Sequence, residues 1–175
     1  LILSNNCATM APKLLEIAEW KADIIALQET RLSSIGQVKV GARMKEEQWQ
    51  TFFGKPTQAK EHKAKVASAS NASKGGVAIA AKVGTPAKKA ALEFDTGMLR
   101  DQCRWEEITH ALDRGNRHIK VASVYGFDGA SGDAERFRLN EDLLGRACRK
   151  VLEAGDTPYV MCGDFNILPQ ESLAI

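Results

Sequence analysis

The chain has 175 residues, of which 44% are hydrophobic and 26% are charged, and its formal net charge is +2. These values are typical of an ordinary soluble globular protein, and the length suits one domain with a working core. No apolar run approaches the ~18–20 residues that cross a bilayer, which excludes a membrane-spanning helix. The modest charge does not identify a partner, because nucleic-acid binding requires a concentrated basic patch. The four cysteines form no CxxC pair, which argues against a structural zinc site.

Strand and helix patterns alternate from the start of the chain. Leu1–Ser4 is a short apolar run that predicts a strand ending in Asn5-Asn6. Residues 9 or 10 to 21 predict a helix, because Pro12 suits a first helical turn and the apolar residues share one face. Ala22–Leu27 (ADIIAL) is continuously apolar, which is typical of a strand buried on both faces.

The next part of the chain predicts short elements and one long loop. A short helix is predicted over Arg43–Trp49 and an extended segment over Gln50–Gly54. Lys55–Lys74 is rich in Lys, Ala and Ser and has no clear period, which predicts a flexible loop of positive character. The lysines of this loop are Lys55, Lys60, Lys63, Lys65 and Lys74.

The second half predicts further strands and one long helix. Gly75–Val83 is a strand candidate, and Trp105–Leu112 with His118–Tyr125 predicts a hairpin. Asp133–Glu153 predicts a helix, and Thr157–Cys162 predicts a buried strand that opens into Gly-Asp-Phe-Asn. The helix face predicted to be buried carries Phe137, Leu139, Leu143, Leu144, Ala147, Val151 and Leu152. Irregular alternation with a hairpin favours a layered α/β or α+β domain over a strictly parallel sheet.

Polar and acidic side chains follow three of the predicted strands. They are Asn6, then Glu29 in Gln-Glu-Thr, then Asp164 and Asn166 in Gly-Asp-Phe-Asn. Strand ends are where a layered α/β protein builds its crevice. Hard oxygen ligands without clustered His or thiolate favour Mg²⁺ or Mn²⁺ over zinc. Magnesium takes one or two protein carboxylates and keeps several waters, so one Glu with amide helpers is compatible with a magnesium site.

Four blocks of the sequence together resemble a known family. ADIIALQET, GGVAIAA, VASVYGF and YVMCGDFN resemble, in this order, blocks of the endonuclease/exonuclease/phosphatase superfamily. SNNCATM resembles its first block and favours Asn6 over Asn5 as the site asparagine. The resemblance covers nearly the whole chain, with loose alignment between Thr30 and Lys74. It implies a four-layer α/β sandwich of the DNase I-like type, with two sheets face to face and helices outside.

The resemblance also implies a role for each candidate residue. Glu29 would be the principal Mg²⁺ ligand, and Asn6 would contact the metal shell or the scissile phosphate. The Tyr125 hydroxyl would contact the phosphate. Asp164 would align or activate the attacking water, or protonate the leaving oxygen. Asn166 would hydrogen-bond the phosphate and stabilise the transition state. These roles fit phosphoryl transfer, which depends on positioning and charge neutralisation.

The family pattern continues with a later Asp and a Ser-Asp-His block, and the chain stops at Ile175 before both. We therefore expect residues 1–175 to be the N-terminal part of a single domain that lacks its closing strands and has little activity alone. The implied function is Mg²⁺-dependent phosphodiester hydrolysis, as a DNA endonuclease of the retroelement or repair type, located in the nucleus if the substrate is nucleic acid. The alternatives are a phosphatase or phospholipase of the same superfamily, and a non-catalytic nucleic-acid-binding retroelement remnant.

Each candidate residue also has an ordinary structural explanation. Taken alone, Glu29 fits a solvated strand-end carboxylate, and Asp164 and Asn166 fit turn formers. Tyr125 fits a core aromatic with its hydroxyl at the rim. The lysine-rich loop fits either a solvated loop or a segment that follows a nucleic-acid backbone. The blocks in sequence favour the functional explanation for Glu29, Asp164 and Asn166.

Overall fold

Two β-sheets pack face to face in the computed structural model, which describes residues 1–56, 75–91, 94–112, 117–168, 170 and 172. Most of the predicted lysine-rich loop, 57–74, lies outside the described residues, and so does the predicted hairpin turn at 113–116. No helix in the described ranges is long and apolar enough to cross a membrane.

The described residues form eight strands and four α-helices in mixed order. The strands are β1 (Ile2–Asn6), β2 (Ile24–Gln28), β3 (Trp49–Phe53), β4 (Val77–Lys82), β5 (Ala87–Lys89), β6 (Trp105–Ala111), β7 (His118–Tyr125) and β8 (Tyr159–Asp164). The α-helices are α1 (Leu14–Ala18), α2 (Ser34–Glu46), α3 (Phe94–Asp101) and α4 (Ala134–Glu153). Short 3-10 helices occupy Ala11–Lys13 and Ala130–Gly132.

Each sheet has four strands and contains one parallel pair. The first sheet has the order β1-β2-β4-β3, with β1 and β2 parallel and the other pairs antiparallel. The second has the order β5-β6-β7-β8, with β7 and β8 parallel. The two parallel pairs face each other, since β1 contacts β8 and β2 contacts β7. The carboxyl ends of four strands therefore lie at the same end of the sandwich.

Three apolar clusters hold the layers together. Successive side chains of a strand point to opposite faces of its sheet, so each sheet packs against helices on one face and against the other sheet on the other. One cluster joins α1 and α2 to the outer face of the first sheet, and another joins α3 and α4 to the second sheet. The cluster between the sheets consists of Ile24, Phe52, Ile79, Ala81, Ile108 and Val121. Strand β2 is buried on both faces, which explains its continuous apolar run. The predicted four-layer α/β sandwich, with two sheets face to face and helices outside, is confirmed.

A buried polar contact joins the sheets at the end where the parallel strands terminate. Gln28 Nε2 donates to Ser123 Oγ at 2.9 Å, and that hydroxyl donates to the carbonyl of Leu27 at 3.0 Å. The exposed fractions of Gln28 and Ser123 are 1% and 0%. Because an unpaired polar group here would remain desolvated, this contact favours one alignment of β2 on β7.

The second helix is longer than the sequence predicted. It begins at Ser34 rather than Arg43, and the Ser33 hydroxyl caps it by accepting from Gly36 N at 3.2 Å. Its buried residues are Val40 and Met44, so the apolar signal is too sparse to reveal its first turns. Strand β5 and helix α3 were not predicted at all.

The buried face of α4 also differs in part from the prediction. Leu139 and Leu152 are exposed, whereas Asn140 and Lys150 lie among the buried residues. The predicted burial of Leu143, Leu144 and Ala147 is confirmed. The buried face of α4 is therefore narrower than the distribution of its apolar residues indicates.

Replacing Ser123 by Ala should destabilise the fold by about 1–3 kcal/mol, because the amide of Gln28 would lose its buried partner. The measurement is the free energy of unfolding in urea. Ser34→Ala, at an exposed position at the start of α2, is the control and should change it by less than about 0.5 kcal/mol. Equal effects of the two substitutions would contradict this account of the contact.

Candidate active site

The five predicted site residues lie at the end of the sandwich where β1, β2, β7 and β8 terminate. Asn6 is the last residue of β1 and Glu29 follows β2, while Tyr125 and Asp164 end β7 and β8 and are register partners. Asn166 follows two residues after Asp164. Two central strands, β2 and β7, and two outer strands, β1 and β8, thus present a carboxyl, amide or phenol group at one common edge.

A hydrogen bond between the sheets joins Asn6 to Asp164. Asn6 Nδ2 donates to Asp164 Oδ2 at 2.7 Å, and Asn6 Oδ1 accepts from the Ala8 amide at 2.9 Å. Asn5 pairs with Leu27, which packs on the helix side, so the alternation places Asn6 on the side of the second sheet. Of the two asparagines, Asn6 is the one that contacts Asp164.

The segment after β8 orients the second oxygen of Asp164. The backbone N–H of Asn166 donates to Asp164 Oδ1 at 3.2 Å, and its side-chain Nδ2 donates to the carbonyl of Gly126 at 3.2 Å. Asn166 has a φ of 52°, a left-handed conformation that Asn adopts more readily than most residues. Both carboxylate oxygens of Asp164 therefore accept a hydrogen bond from an asparagine.

Glu29 is a nearly buried carboxylate with an arginine beside it. Its exposed fraction is 8%, and Arg31 Nη2 donates to its Oε1 in an ion pair that raises the pKa of Arg31. The backbone that follows is held by Thr30 N, which donates to the Gly76 carbonyl at 3.1 Å. A Cβ at Gly76, where φ is 89°, would approach Thr30 Oγ1 to 2.6 Å. Glycine at this position lets the chain pack closely against the segment that carries Glu29.

Tyr125 is a buried phenol between carboxylates. Its exposed fraction is 2%, and its hydroxyl donates to Asp128 Oδ1. Burial raises the pKa of Tyr125 above its usual range, and the neighbouring carboxylates of Asp128 and Glu29 raise it further. The hydroxyl is therefore a neutral group at physiological pH, and its proton is directed at a carboxylate.

A cation covers the ring of Tyr125. The guanidinium of Arg104 lies 5.1 Å from the ring centroid of Tyr125 and 4.0 Å from that of Phe127. It also donates to the carbonyls of Tyr125, at 3.2 Å, and Gly126. Burial lowers the pKa of Arg104, and Asp128 opposes that effect. These contacts fix the plane of the phenol at the end of β7.

Asn140 of α4 ties the segments after β7 and β8 together. Its Oδ1 accepts from Phe127 N at 2.9 Å, and its Nδ2 donates to the carbonyl of Phe165 at 2.8 Å. Gly126 permits this close approach, since a Cβ there would collide with the Phe165 carbonyl and come within 2.8 Å of Asn140 Oδ1. Asn140, with no exposed surface, therefore sets the spacing of the segments that carry Tyr125 and Asn166.

Four residues of this region were missed from the sequence. Arg31 and Asp128 each follow a candidate residue by two or three positions, and this proximity was the available signal. Asn140 interrupts the apolar face of α4, which is a recognisable anomaly at a core position. No feature of the sequence indicated a role for Arg104, because its contacts with Tyr125, Gly126 and Phe127 form only when the strands pack.

The donor atoms fit a hard divalent cation better than zinc. Within the described ranges, no group of three or more His, Cys, Asp and Glu could hold a metal ion. Glu29 provides one carboxylate, and the Asn6 amide ends the adjacent parallel strand. One carboxylate with amide and water oxygens suits Mg²⁺ or Mn²⁺, whereas zinc sites are built from thiolates and imidazoles.

Comparison with known proteins supports the fold. No protein-family model matches the sequence, and a search of curated proteins finds no similar sequence. Among solved structures, the chain is similar to the 3′ phosphatase NExo from Neisseria bound to a product DNA hairpin, with a TM-score of 0.67 and 19% identity. It is also similar to an AP endonuclease from Archaeoglobus fulgidus, with a TM-score of 0.64 and 20% identity. The human Nocturnin catalytic domain with bound sulfate gives 0.55 and 19%.

These similarities extend over most of this chain. Alignment covers 96% of it and 58% of the other chain for NExo and for the Archaeoglobus enzyme, and 89% and 56% for Nocturnin. The chain therefore spans less than two thirds of the length of these proteins. It shares the fold of these solved structures, in agreement with the fold that the sequence resemblance implied. The assignment of residues 1–175 to the N-terminal part of one domain stays a prediction.

Asn140→Ala should destabilise the protein by about 2–4 kcal/mol, because Phe127 N and the Phe165 carbonyl would both lose a partner. Urea unfolding followed by circular dichroism measures the loss. Arg138→Ala, an exposed position on the same helix, is the matched control and should have almost no effect. A loss below about 0.5 kcal/mol for Asn140→Ala would contradict the tie between the two segments.

Proposed function

We propose that this chain carries part of the active site of a metal-dependent phosphodiesterase whose substrate is DNA. The observation that carries the proposal is the hydrogen bond of 2.7 Å between Asn6 and Asp164, which unites groups from both sheets in one cluster. Glu29 and Tyr125 belong to the same strand-end edge, and such an edge is where ligands bind in layered α/β folds.

Glu29 is proposed as the principal ligand of Mg²⁺ or Mn²⁺, with Asn6 assisting. When bound, the cation would polarise a phosphate oxygen and lower the pKa of a coordinated water. Arg31 pairs with the Glu29 carboxylate, and the buried position limits that carboxylate to few conformations. Oε1 accepts from Arg31, so Oε2 is the oxygen that we propose for the cation.

Asp164 is proposed to align or activate the attacking water, or to protonate the leaving oxygen. An ionised carboxylate is an acceptor only, and each of its oxygens is already held by an asparagine. Its direction is therefore set before substrate arrives, which is the condition for efficient proton transfer. Asn166 has a donor-bearing amide at the same edge and is proposed to hydrogen-bond a phosphate oxygen as charge develops there.

The choice of DNA rests on two observations. The similar NExo structure is bound to a product DNA hairpin, so this fold accommodates DNA at least in that protein. The sequence around 55–74 is rich in lysine, which suits contact with a phosphate backbone. Endonuclease cleavage of DNA is therefore the form of the activity that we propose to test first.

The test is nicking of supercoiled plasmid by the full-length gene product, with and without Mg²⁺. Nicking should require the cation, and Asp164→Asn should lower the rate by about 10²–10⁴-fold through loss of the carboxylate. Glu29→Gln should lower the affinity for Mg²⁺ at least about 10-fold. Glu153→Gln, an exposed carboxylate at the end of α4, is the control and should nick like the parent.

The outcomes separate the alternatives. Absence of nicking with cleavage of bis(p-nitrophenyl) phosphate would reject DNA as the substrate and favour a phosphatase or phospholipase. Absence of both activities in a folded protein would contradict the phosphodiesterase proposal itself. Nicking that is independent of Mg²⁺ and Mn²⁺ would contradict the role of Glu29.

A further inference from the structure

Arg31 is a cation at the strand-end edge whose hydrogen-bonding capacity is largely unused. Its Nη2 donates to Glu29 Oε1, which is the acceptor that its guanidinium finds among the described residues. A guanidinium carries five N–H hydrogens. The Nε of Arg31 is buried and has no hydrogen-bond partner in the described part of the chain. Such a donor is unfavourable until water or an anion supplies the acceptor.

The backbone that carries Arg31 has an uncommon conformation. Glu29 and Arg31 have φ angles of 57° and 51°, in the left-handed region that residues with a side chain rarely adopt. The N–H of Arg31 donates to the carbonyl of Gly75 at 2.9 Å, next to the bond from Thr30 to Gly76. Such a conformation persists only where the surrounding structure holds it, and it is found most often at functional sites. The fold therefore holds Arg31 beside Glu29.

The guanidinium lies within the candidate site and can be reached from solvent. The groups whose charges act on it are Glu29, Tyr125 and Asp128, which belong to the same edge. The exposed fraction of the Arg31 side chain is 36%, compared with 11% for Glu29. Arg104, by contrast, is engaged with two backbone carbonyls and two aromatic rings. Of these two arginines, Arg31 is therefore the better placed to bind a ligand from solvent.

We propose that Arg31 is a phosphate-binding residue, held by Glu29 so that its remaining N–H groups contact an oxygen of the substrate phosphate. A guanidinium suits this role, because its planar donors match the geometry of phosphate oxygens and its charge persists at physiological pH. The use of this contact in catalysis rests on the proposed function.

The Glu29 carboxylate then has a different role at each of its oxygens. Oε1 holds Arg31, and Oε2 is the oxygen proposed for the cation. Arg31 neutralises part of the negative charge of the phosphate, which is the kind of stabilisation that phosphoryl transfer requires. A buried carboxylate and the arginine beside it thus act as one unit toward the substrate.

The first test measures the binding of a short fluorescein-labelled DNA duplex to the full-length protein by fluorescence anisotropy. EDTA is present, so that neither metal nor cleavage contributes, and the affinity is measured at a series of salt concentrations. Arg31→Gln should weaken binding at least about 10-fold. It should also reduce the slope of log Kd against log salt by about 0.9, the value for one lost phosphate contact. Arg31→Lys keeps the charge and should retain the slope of the parent.

Arg43→Gln is the matched control. Arg43 is exposed and pairs with Glu46 near the end of α2. That helix leads into the start of β3, which pairs with the end of β4 and lies away from the strand-end edge. This variant should bind the duplex with the affinity and slope of the parent. An unchanged slope in Arg31→Gln would overturn the inference and leave Arg31 as a residue that only orients Glu29.

A second measurement replaces DNA by inorganic phosphate. The Nε–H signal of Arg31 is followed by proton–nitrogen correlation NMR of the full-length protein as phosphate is added, and its absence in Arg31→Lys assigns it. The signal should shift with phosphate, and a signal that does not respond would overturn the inference. If phosphate shifts the Arg31 signal but the parent does not bind the duplex, the inference holds and DNA is rejected as the substrate in the proposed function.

Discussion

The hydrogen bond between Asn6 and Asp164 is the contact on which the site depends, because it closes the gap between the two sheets at their carboxyl ends. It forms only if both parallel pairs, β1 with β2 and β7 with β8, terminate at the same level. The Gln28–Ser123 contact lies one layer deeper and favours the same alignment. The packed apolar sandwich thus sets the positions of the Asn6 and Asp164 side chains. Support of this kind from packed strands is the usual basis of preorganisation.

The site also requires the backbones at the ends of β7 and β8 to approach each other closely. A Cβ at Gly163 would come within 2.5 Å of the Val124 carbonyl, and one at Gly126 would collide with the backbone of Phe165. The glycines allow the ends of β7 and β8 to pack so tightly that Tyr125 and Asn166 meet at Asp128. The arrangement of side chains at this edge therefore depends on two glycines, which have no side chain of their own.

The sequence predicted the parts of this structure that depend on local pattern. The apolar run Ala22–Leu27 indicated a buried strand because β2 packs on both faces, although the strand itself runs from Ile24 to Gln28. The contacts of Arg104, Asp128 and Asn140 could not be predicted, because each involves residues from separate elements that meet only in the fold. Candidate residues were recognisable by type and position, whereas their hydrogen-bond partners required the structure.

The central claim is that Glu29 binds a divalent cation at the edge where Asn6 and Asp164 meet. The most direct test is anomalous diffraction from crystals of the full-length protein soaked in Mn²⁺. The account predicts a peak of anomalous density at the Glu29 carboxylate, and its loss in Glu29→Gln crystals. A well-ordered edge with no peak at saturating Mn²⁺, or peaks only at other places, would contradict it.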